Sequence, residues 1–243
     1  MEAAFIQNPE LQELQKANQI IGQFINSCSH SMRGPLKSIA GLVGLLNNVD
    51  NSENDSKIFL GLIGKTALKM ENMLDELEHF MENSKRNLNL MPIACQEVLD
   101  FTLTQYKEEI ETKGIKIVGA VEQSAPLYSD LSRLRLIVAH LLANAIQFCD
   151  ETKTKPEITI TFKVDSEGCN ITVSDNGVGI DPHEHLKIFQ LFYRATAKSS
   201  GAGIGLYVVR EVVEKMGGKV SVNSLLNKGA AFNIALPNPC KTE

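Results

Sequence analysis

The sequence has no tryptophan, no cysteines in CxxC spacing and no long uninterrupted apolar run. Its five cysteines are scattered, which argues against a zinc site or a disulfide framework and favours free thiols in a reducing compartment. No stretch approaches the ~18 apolar residues of a membrane span. No basic segment followed by an apolar one opens the chain as a secretion signal would. We therefore expect a cytoplasmic chain without a transmembrane segment.

The chain also lacks the excess of positive charge that is typical of nucleic-acid binders, since its net charge is −5. With 43% hydrophobic and 22% charged residues, its composition is that of an ordinary globular protein. A length of 243 residues allows one large domain or two modest ones. We expect no nucleic-acid partner.

The first third of the chain has the pattern of two long helices. Apolar residues recur at helical spacing over residues 11–46 and 58–81, and the polar stretch 47–51 separates them. Pro35 is expected to kink the first helix, because the apolar pattern resumes directly after it. Two such helices predict an antiparallel hairpin, and two hairpins would bury their apolar stripes in a four-helix bundle. We expect a homodimer; the alternative is a hairpin that packs on the rest of its own chain.

Residues 82–92 resemble a linker, and the pattern changes after them. Helical and alternating strand patterns are now mixed, which predicts a two-layer α/β sandwich. The predicted helices are residues 95–113, 130–147, 186–192 and 206–216, and the predicted strands are 115–120, 158–164, 170–174, 219–225 and 231–236.

A nucleotide site is predicted after the strand at 170–174. Asp175 at the strand end can accept a hydrogen bond from an exocyclic amino group. Gly177 and Gly179 lack a Cβ, so the backbone can bend sharply and approach a flat ligand. A second glycine cluster, residues 201–206, leads into an apolar helix, where backbone N–H groups favour phosphate oxygens.

Two other polar residues on predicted helices could carry chemistry. His30 has Arg33 one turn away and Pro35 nearby, and a neutral imidazole is a competent nucleophile near pH 7. By itself, a lone histidine is more often surface or core filler. Asn144 lies beside an apolar helix face with His140 one turn earlier; it could be a Mg²⁺ ligand or a buried hydrogen-bonding residue.

In this order, the motifs resemble those of the two-component sensor histidine kinases and of the GHKL ATPase superfamily. The H box corresponds to residues 30–36, the N box centres on Asn144, and the G1 box is residues 175–179. Residues 188–194 resemble the F box of the family, and residues 201–206 resemble its G2 box. The match covers nearly the whole chain from about residue 24.

The resemblance implies α+β architecture: an all-α hairpin that forms a dimeric four-helix bundle, followed by a two-layer Bergerat ATP-binding sandwich. It implies a signalling helix over residues 1–23, a dimerisation and phosphotransfer domain over 24–88 and a catalytic domain over 89–243. An upstream sensor domain normally precedes such a signalling helix. This chain shows none, so it is either a stand-alone kinase or a fragment.

The resemblance also implies ATP and Mg²⁺ as cofactors and assigns the site. His30 would take the γ-phosphoryl group through Nε2 and pass it to an aspartate of a response regulator receiver domain, with Arg33 close by. Phe189 and Phe192 would belong to an ATP lid over residues 181–203. Mg²⁺ would be held by Asn144, with His140 able to touch the same site. The implied ATP-binding residues are Asn144, Asp175, Gly177, Gly179, Ile180, Phe192, Gly201, Gly203, Gly205 and Leu206.

The chain departs from the family at several of these motifs. Ser31 stands where many members have an acidic residue, and Gly34 does not suit the phosphatase motif. In the N box, His140 replaces a common asparagine and Gln147 replaces a common Lys or Arg. Arg194 or Lys198 could supply the missing positive charge. Ala230 and Ala231 stand where a hydroxyl residue is frequent. We expect weakened ATP binding and little phosphatase activity towards a regulator.

Three functions remain open on the sequence: an active histidine autokinase, a degenerate nucleotide-binding dimeric scaffold with little kinase activity, and another GHKL ATPase. The third class includes chaperones, mismatch-repair ATPases and serine kinases that restrain sigma factors. The H box on a hairpin argues against it.

The serine at position 31 should limit the rate of autophosphorylation. A hydroxyl is a poor proton acceptor, and general-base help is typically worth ~10²–10⁴-fold in rate. Ser31→Glu is therefore expected to raise the rate of phosphate incorporation into the purified chain. An unchanged rate would show that the base does not come from position 31.

Overall fold

The computed structural model describes residues 29, 32–47, 52–150, 155–196 and 203–239. His30, Ser31, Lys198, Gly201 and the predicted signalling helix lie outside the described residues. The chain divides into two compact units, residues 1–74 and 75–243. This division falls inside a long helix, earlier in the chain than the expected boundary after residue 88.

The first unit is helical. Helix α1 covers the described helical residues 32–46, and α2 is Glu53–Lys85. Ser52 and Asp55 begin α2 with a reciprocal cap, in which each side chain accepts from the backbone N–H of the other residue. The half-buried positions recur at 32, 35, 39, 42 and 46 in α1 and at 56, 59, 63, 66 and 70 in α2. This three–four spacing is typical of helices that pack along a seam.

Several apolar side chains of the first unit are exposed, including the stripe that the sequence predicts to be buried in a bundle. Ile58, Leu62 and Leu68 of that stripe are 51%, 45% and 57% exposed. Leu36 and Val43 of α1 are exposed as well. A single copy of the hairpin therefore leaves this predicted stripe in water.

The second unit is built on a five-stranded mixed sheet of order β2-β4-β5-β7-β6, beside a two-stranded sheet of β1 and β3. Only β2 and β4 are parallel; the other neighbouring pairs are antiparallel. The strands are β1 Met91–Ile93, β2 Lys116–Gln123, β3 Leu127–Ser129, β4 Glu157–Val164, β5 Gly168–Asp175, β6 Lys219–Ser224 and β7 Ala230–Pro237. The expected α+β class is confirmed; a four-helix bundle is not shown in this single chain.

The second unit also contains the helices α3 Cys95–Gln105, α4 Lys107–Thr112, α5 Leu131–Gln147 and α6 Gly205–Lys215. Helices α3, α5 and α6 pack on the large sheet and on one another, and α4 packs on α3. Leu134, Ile137 and Leu141 of α5 are fully buried, as are Ile160 and Phe162 of β4. Each such side chain contributes about 1.5–3 kcal/mol by leaving water. The core therefore holds α5 firmly against the sheet.

The predicted helix at residues 186–192 is wrong. A short 3₁₀ turn, Pro182–Glu184, begins this segment, and turns follow it. Bonds from the N–H of Lys187 to the carbonyl of Glu184 and from Gln190 to Lys187 span three residues. One bond of α-helical length, from Ile188 to Glu184, is not continued into a ladder.

Residues 95–113 are helical as expected, but the segment divides into two helices at Tyr106. This residue ends α3 and precedes α4 with non-helical dihedral angles.

Three of the cysteines lie in the described part of the chain. Cys95, Cys149 and Cys169 are reduced cysteines, and Cys95 and Cys169 are fully buried. A hydrogen bond to Cys95 and burial raise the pKa of the Cys169 thiol, so it stays protonated. Within the described helices, none combines the length and hydropathy needed to cross a membrane.

Gly229 and Gly217 form a matched pair for testing how the turn before β7 is built. Both have left-handed dihedral angles, with φ of 82° and 74°. A Cβ at Gly229 would collide with the carbonyl oxygen of Asp175, whereas one at Gly217 would meet only Pro237 at 3.5 Å. Gly217→Ala is expected to cost about 1–2 kcal/mol of unfolding free energy. Gly229→Ala should cost roughly 1–3 kcal/mol more. Equal losses in urea unfolding would contradict this account of the turn.

Candidate functional site

The site is built around Asp175, the last residue of β5. Its Oδ1 accepts hydrogen bonds from the backbone N–H of Gly177 at 2.8 Å and of Ala230 at 3.4 Å. The first bond turns the chain sharply at the strand end, and the second joins that turn to the start of β7. The carboxylate is therefore fixed in place by two backbone amides from different segments.

The loop after Asp175 is attached on both sides. The Val178 N–H donates to the carbonyl of Phe148, at the end of α5. The Ile180 N–H donates to Oγ of Ser224, at the end of β6, and this hydroxyl donates in turn to the carbonyl of Gly229. The loop is thus tied to α5 and to the β6–β7 connection, which gives it one fixed path.

The two glycines of this loop are required by the protein's own packing. A Cβ at Gly177 would collide with the Phe148 carbonyl oxygen, and one at Gly179 with the Leu225 carbonyl oxygen. Gly179 also has a φ of 68°. Glycine is therefore required at both positions by neighbouring backbone oxygens, and the expected approach of this backbone to a flat ligand stays a prediction.

One face of α5 contributes His140, Asn144 and Gln147, spaced by four and three residues so that they lie side by side. All three line the same cavity as Asp175. The side-chain nitrogens of Asn144 and Gln147 are buried without a hydrogen-bond partner. An unsatisfied buried donor costs about 1–3 kcal/mol, so these two amides are positioned for a group that is not part of the chain.

The start of α6 closes the cavity opposite this face. Gly205 is the first residue of α6, and a Cβ there would lie 3.1 Å from Nδ1 of His140. Glycine therefore lets the N-terminus of α6 come close to α5. Such an N-terminus favours negative charge, because its backbone N–H groups and the helix dipole point into the site.

The cavity brings together most of the residues that the sequence indicates, from several separate segments of the chain. Gly177 and Phe192 do not line it, and Gly201 lies outside the described residues. Of the sequence-indicated residues, those that line the cavity are His140, Asn144, Gln147, Asp175, Gly179, Ile180, Arg194, Gly203, Gly205, Leu206 and Ala230.

The two phenylalanines of the F box have different surroundings. Phe189 is 7% exposed, and its ring meets that of Phe232 edge-on at 6.4 Å, so it is a core residue. Phe192 has a φ of 62°, and its N–H donates to the carbonyl of Gly203. This bond connects Phe192 to Gly203, just before α6. Tyr193, the next residue along the chain, lines the cavity.

A Mg²⁺ ion is implied by the sequence resemblance, and the donor set allows a limited protein contribution. No group of three or more His, Cys, Asp or Glu residues in the described ranges could hold a metal. Asn144 offers one hard amide oxygen at the cavity, which fits an ion that takes one or two protein ligands and several phosphate or water oxygens. The imidazole of His140 is a softer donor and fits this ion less well.

Comparison with known proteins identifies the fold around this cavity. Residues 129–239 match the family model described as histidine kinase-, DNA gyrase B-, and HSP90-like ATPase. The methanogenesis regulatory histidine kinase FilI of Methanothrix harundinacea is 30% identical over 230 residues, which cover 93% of this chain and 26% of FilI. The chain is a homologue of the sensor histidine kinases. It spans about a quarter of the length of the curated relatives it matches.

Two solved structures extend the similarity. This kinase homologue is 26% identical to full-length ShkA, solved in complex with AMPPNP, with a TM-score of 0.63 over 88% of this chain and 45% of ShkA. Its fold also matches the histidine kinase ThkA, solved in complex with the response regulator protein TrrA. There the TM-score is 0.75 over 97% of this chain and 67% of that one, at 19% identity.

Sequence reasoning missed several residues that build the site of this kinase homologue. Ser224 and Gly229 hold the loop from the β6–β7 side, and the Asn176 side chain binds the backbone of Glu157 and Lys155. Asn176 belongs to the G1 box, where no structural role was assigned to it, whereas Ser224 and Gly229 lie outside both glycine-rich motifs. Of these residues outside the glycine-rich motifs, Gly229 is the one that the sequence could have indicated, because a glycine directly before a predicted strand is typical of a turn.

Proposed function

We propose that this chain is a histidine kinase core that uses ATP to phosphorylate His30 and passes the phosphoryl group to an aspartate of a response regulator. The observation that carries the proposal is the cavity between α5, the Asp175 loop and the start of α6. It supports a nucleotide site because one end offers a fixed carboxylate and the other a helix N-terminus. The family match and the kinase relatives support the same activity.

In this proposal Asp175 accepts a hydrogen bond from the adenine 6-amino group. Both backbone bonds to its carboxylate fall on Oδ1. The phosphates would lie towards Asn144 and the N-terminus of α6. Asn144 would hold Mg²⁺ there, and the charge of the ion would offset that of the phosphates. Arg194 lines the cavity, and we assign its positive charge to the phosphate end of the site.

The phosphoryl transfer itself is a displacement at the γ-phosphorus. The lone pair on Nε2 of His30 forms the new P–N bond, the bond to the β–γ bridging oxygen breaks, and ADP leaves. The imidazole proton goes to solvent or to a base other than Ser31. Arg33, which is exposed on α1 and follows position 30 by three residues, is suited to the charge of the transferred group.

The proposed partners are a second copy of the chain and a receiver domain, as the domains assigned from the sequence imply. Dimerisation would bury the exposed stripe that includes Leu36, Val43 and Ile58. Support for a response regulator partner comes from ThkA, whose structure contains TrrA. We propose that the chain acts in the cytoplasm, where ATP and response regulators are found together.

A degenerate scaffold is the second candidate, favoured by Gln147. Gln147 lines the cavity with an uncharged amide, where the family commonly has a positive charge for the phosphates. The side-chain nitrogen of this amide is buried without a hydrogen-bond partner. In this case the chain would bind nucleotide and pair with itself but transfer little phosphate.

Phosphate incorporation separates these functions. The wild-type chain is incubated with γ-labelled ATP and Mg²⁺, and His30→Ala is compared with His183→Ala, which removes an exposed histidine of the 3₁₀ turn. We expect acid-labile label in the wild type and in His183→Ala, and a loss of at least about 100-fold in His30→Ala, since the nucleophile is missing.

Each other outcome identifies a different function. Nucleotide binding without label in the wild type would favour the scaffold. Acid-stable label would indicate hydroxyl phosphorylation and would contradict the histidine kinase.

A further inference from the structure

Arg133 is the most unusual charged residue outside the nucleotide cavity. Its side chain is the largest among the fully buried ones, and only 1% of the residue is exposed. It also lies in the first turn of α5, where the helix dipole disfavours a cation. Burying a charge costs several kcal/mol unless it is paired, so this position requires a specific reason.

The guanidinium reaches the chain that leaves α2. Nη2 of Arg133 donates to the carbonyl of Arg86 at 2.7 Å. Arg86 follows Lys85, the last residue of α2, and carbonyl groups at a helix C-terminus lack partners within the helix. The positive charge thus binds the negative end of the α2 dipole.

Asp130 is the counter-charge and makes a second attachment. It caps α5 by accepting from the Arg133 N–H through Oδ1, and its Oδ2 lies 3.7 Å from Nη1 of the same arginine. Oδ2 also accepts from the backbone N–H of Asn89 at 3.1 Å. The Asp130–Arg133 pair therefore holds two backbone groups of residues 86–89, both of which belong to the second unit.

The chain after residue 89 is fixed as well. β1 pairs with β3, with Met91 opposite Ser129, and Asp130 follows Ser129 directly. Lys215 of α6 lies near enough that burial and the charge of Arg133 lower its pKa. The chain that leaves α2 is thus attached to the start of α5, the helix that carries Asn144, at residues 86 and 89, and to β3 at residues 91–93.

We propose that Asp130 and Arg133 are positioning residues for phosphoryl transfer, because they hold the end of α2 at a fixed place on the nucleotide-binding unit. This inference rests on the proposed function. Helix α2 continues into the hairpin unit, whose sequence includes His30, so a loose α2 end would let the nucleotide site and the acceptor move independently. The pair makes no part of the cavity lining, and its loss should spare ATP binding.

The test compares Arg133→Met with Arg135→Met in the full chain. Arg135 lies on the same helix, but its guanidinium stacks on Phe101 at 4.0 Å and serves as the matched control. Methionine fills the volume and cannot donate to Arg86. At saturating ATP, Arg133→Met should phosphorylate His30 at least about tenfold more slowly, since ~1 Å of misplacement can cost ~100-fold. The dissociation constant of this variant for ATP should change by no more than about twofold, because Arg133 does not line the cavity.

A second pair of variants avoids the buried charge. Asn89→Pro removes the N–H that Asp130 accepts, and Asn89→Ala keeps it. Residue 89 is exposed, so both variants should fold. Asn89→Pro should slow phosphorylation at saturating ATP, and Asn89→Ala should not. If Arg133→Met fails to unfold cooperatively, this pair decides alone.

The outcomes separate this inference from the proposed function. Wild-type rates in both Arg133→Met and Asn89→Pro would overturn the positioning role, as would a loss that appears only in ATP affinity. If the wild type itself incorporates no phosphate at His30, the proposed function fails, and this inference fails with it.

Discussion

The site depends on two backbone amides that hold one carboxylate. Asp175 stands at the end of a strand that is hydrogen-bonded on both sides, by β4 and β7. The Gly177 and Ala230 amides then fix its Oδ1. A carboxylate held in this way has little conformational freedom to lose when a ligand binds, and such preorganisation favours affinity. The fold brings α5 and α6 to the same place because their apolar faces pack on that sheet.

The constraints around Asp175 are mostly steric. Gly177, Gly179 and Gly229 each face a backbone oxygen where a side chain would begin, and the last of these is the oxygen of Asp175 itself. The glycines therefore serve the protein's own packing first. Much of the cavity lining comes instead from α5 and from the segment before α6. On α5, Asn144 and Gln147 carry buried amide nitrogens without partners.

Local patterns in the sequence predicted much of this arrangement. The Asp175 loop and α5 were predictable because strand alternation, helical spacing and glycine clusters are short-range signals. The helix predicted at 186–192 was wrong, because an apolar pattern cannot reveal turn bonds or the left-handed Phe192. Ser224 and Arg133 were not foreseen, since their partners are 44 and 47 residues away along the chain. Contacts at that separation leave no periodic trace in one sequence.

The most direct test of the account is the choice between ATP and inosine triphosphate, measured by equilibrium binding with Mg²⁺. Inosine carries a carbonyl where adenine has its amino group, so Asp175 should repel it, and we predict at least about tenfold weaker binding, or ~1.4 kcal/mol. Asp175→Asn should narrow this preference. Asp165→Asn should leave it intact, although Asp165 also accepts from two backbone amides, which lower its pKa. Equal affinity of the wild type for both nucleotides would contradict the account.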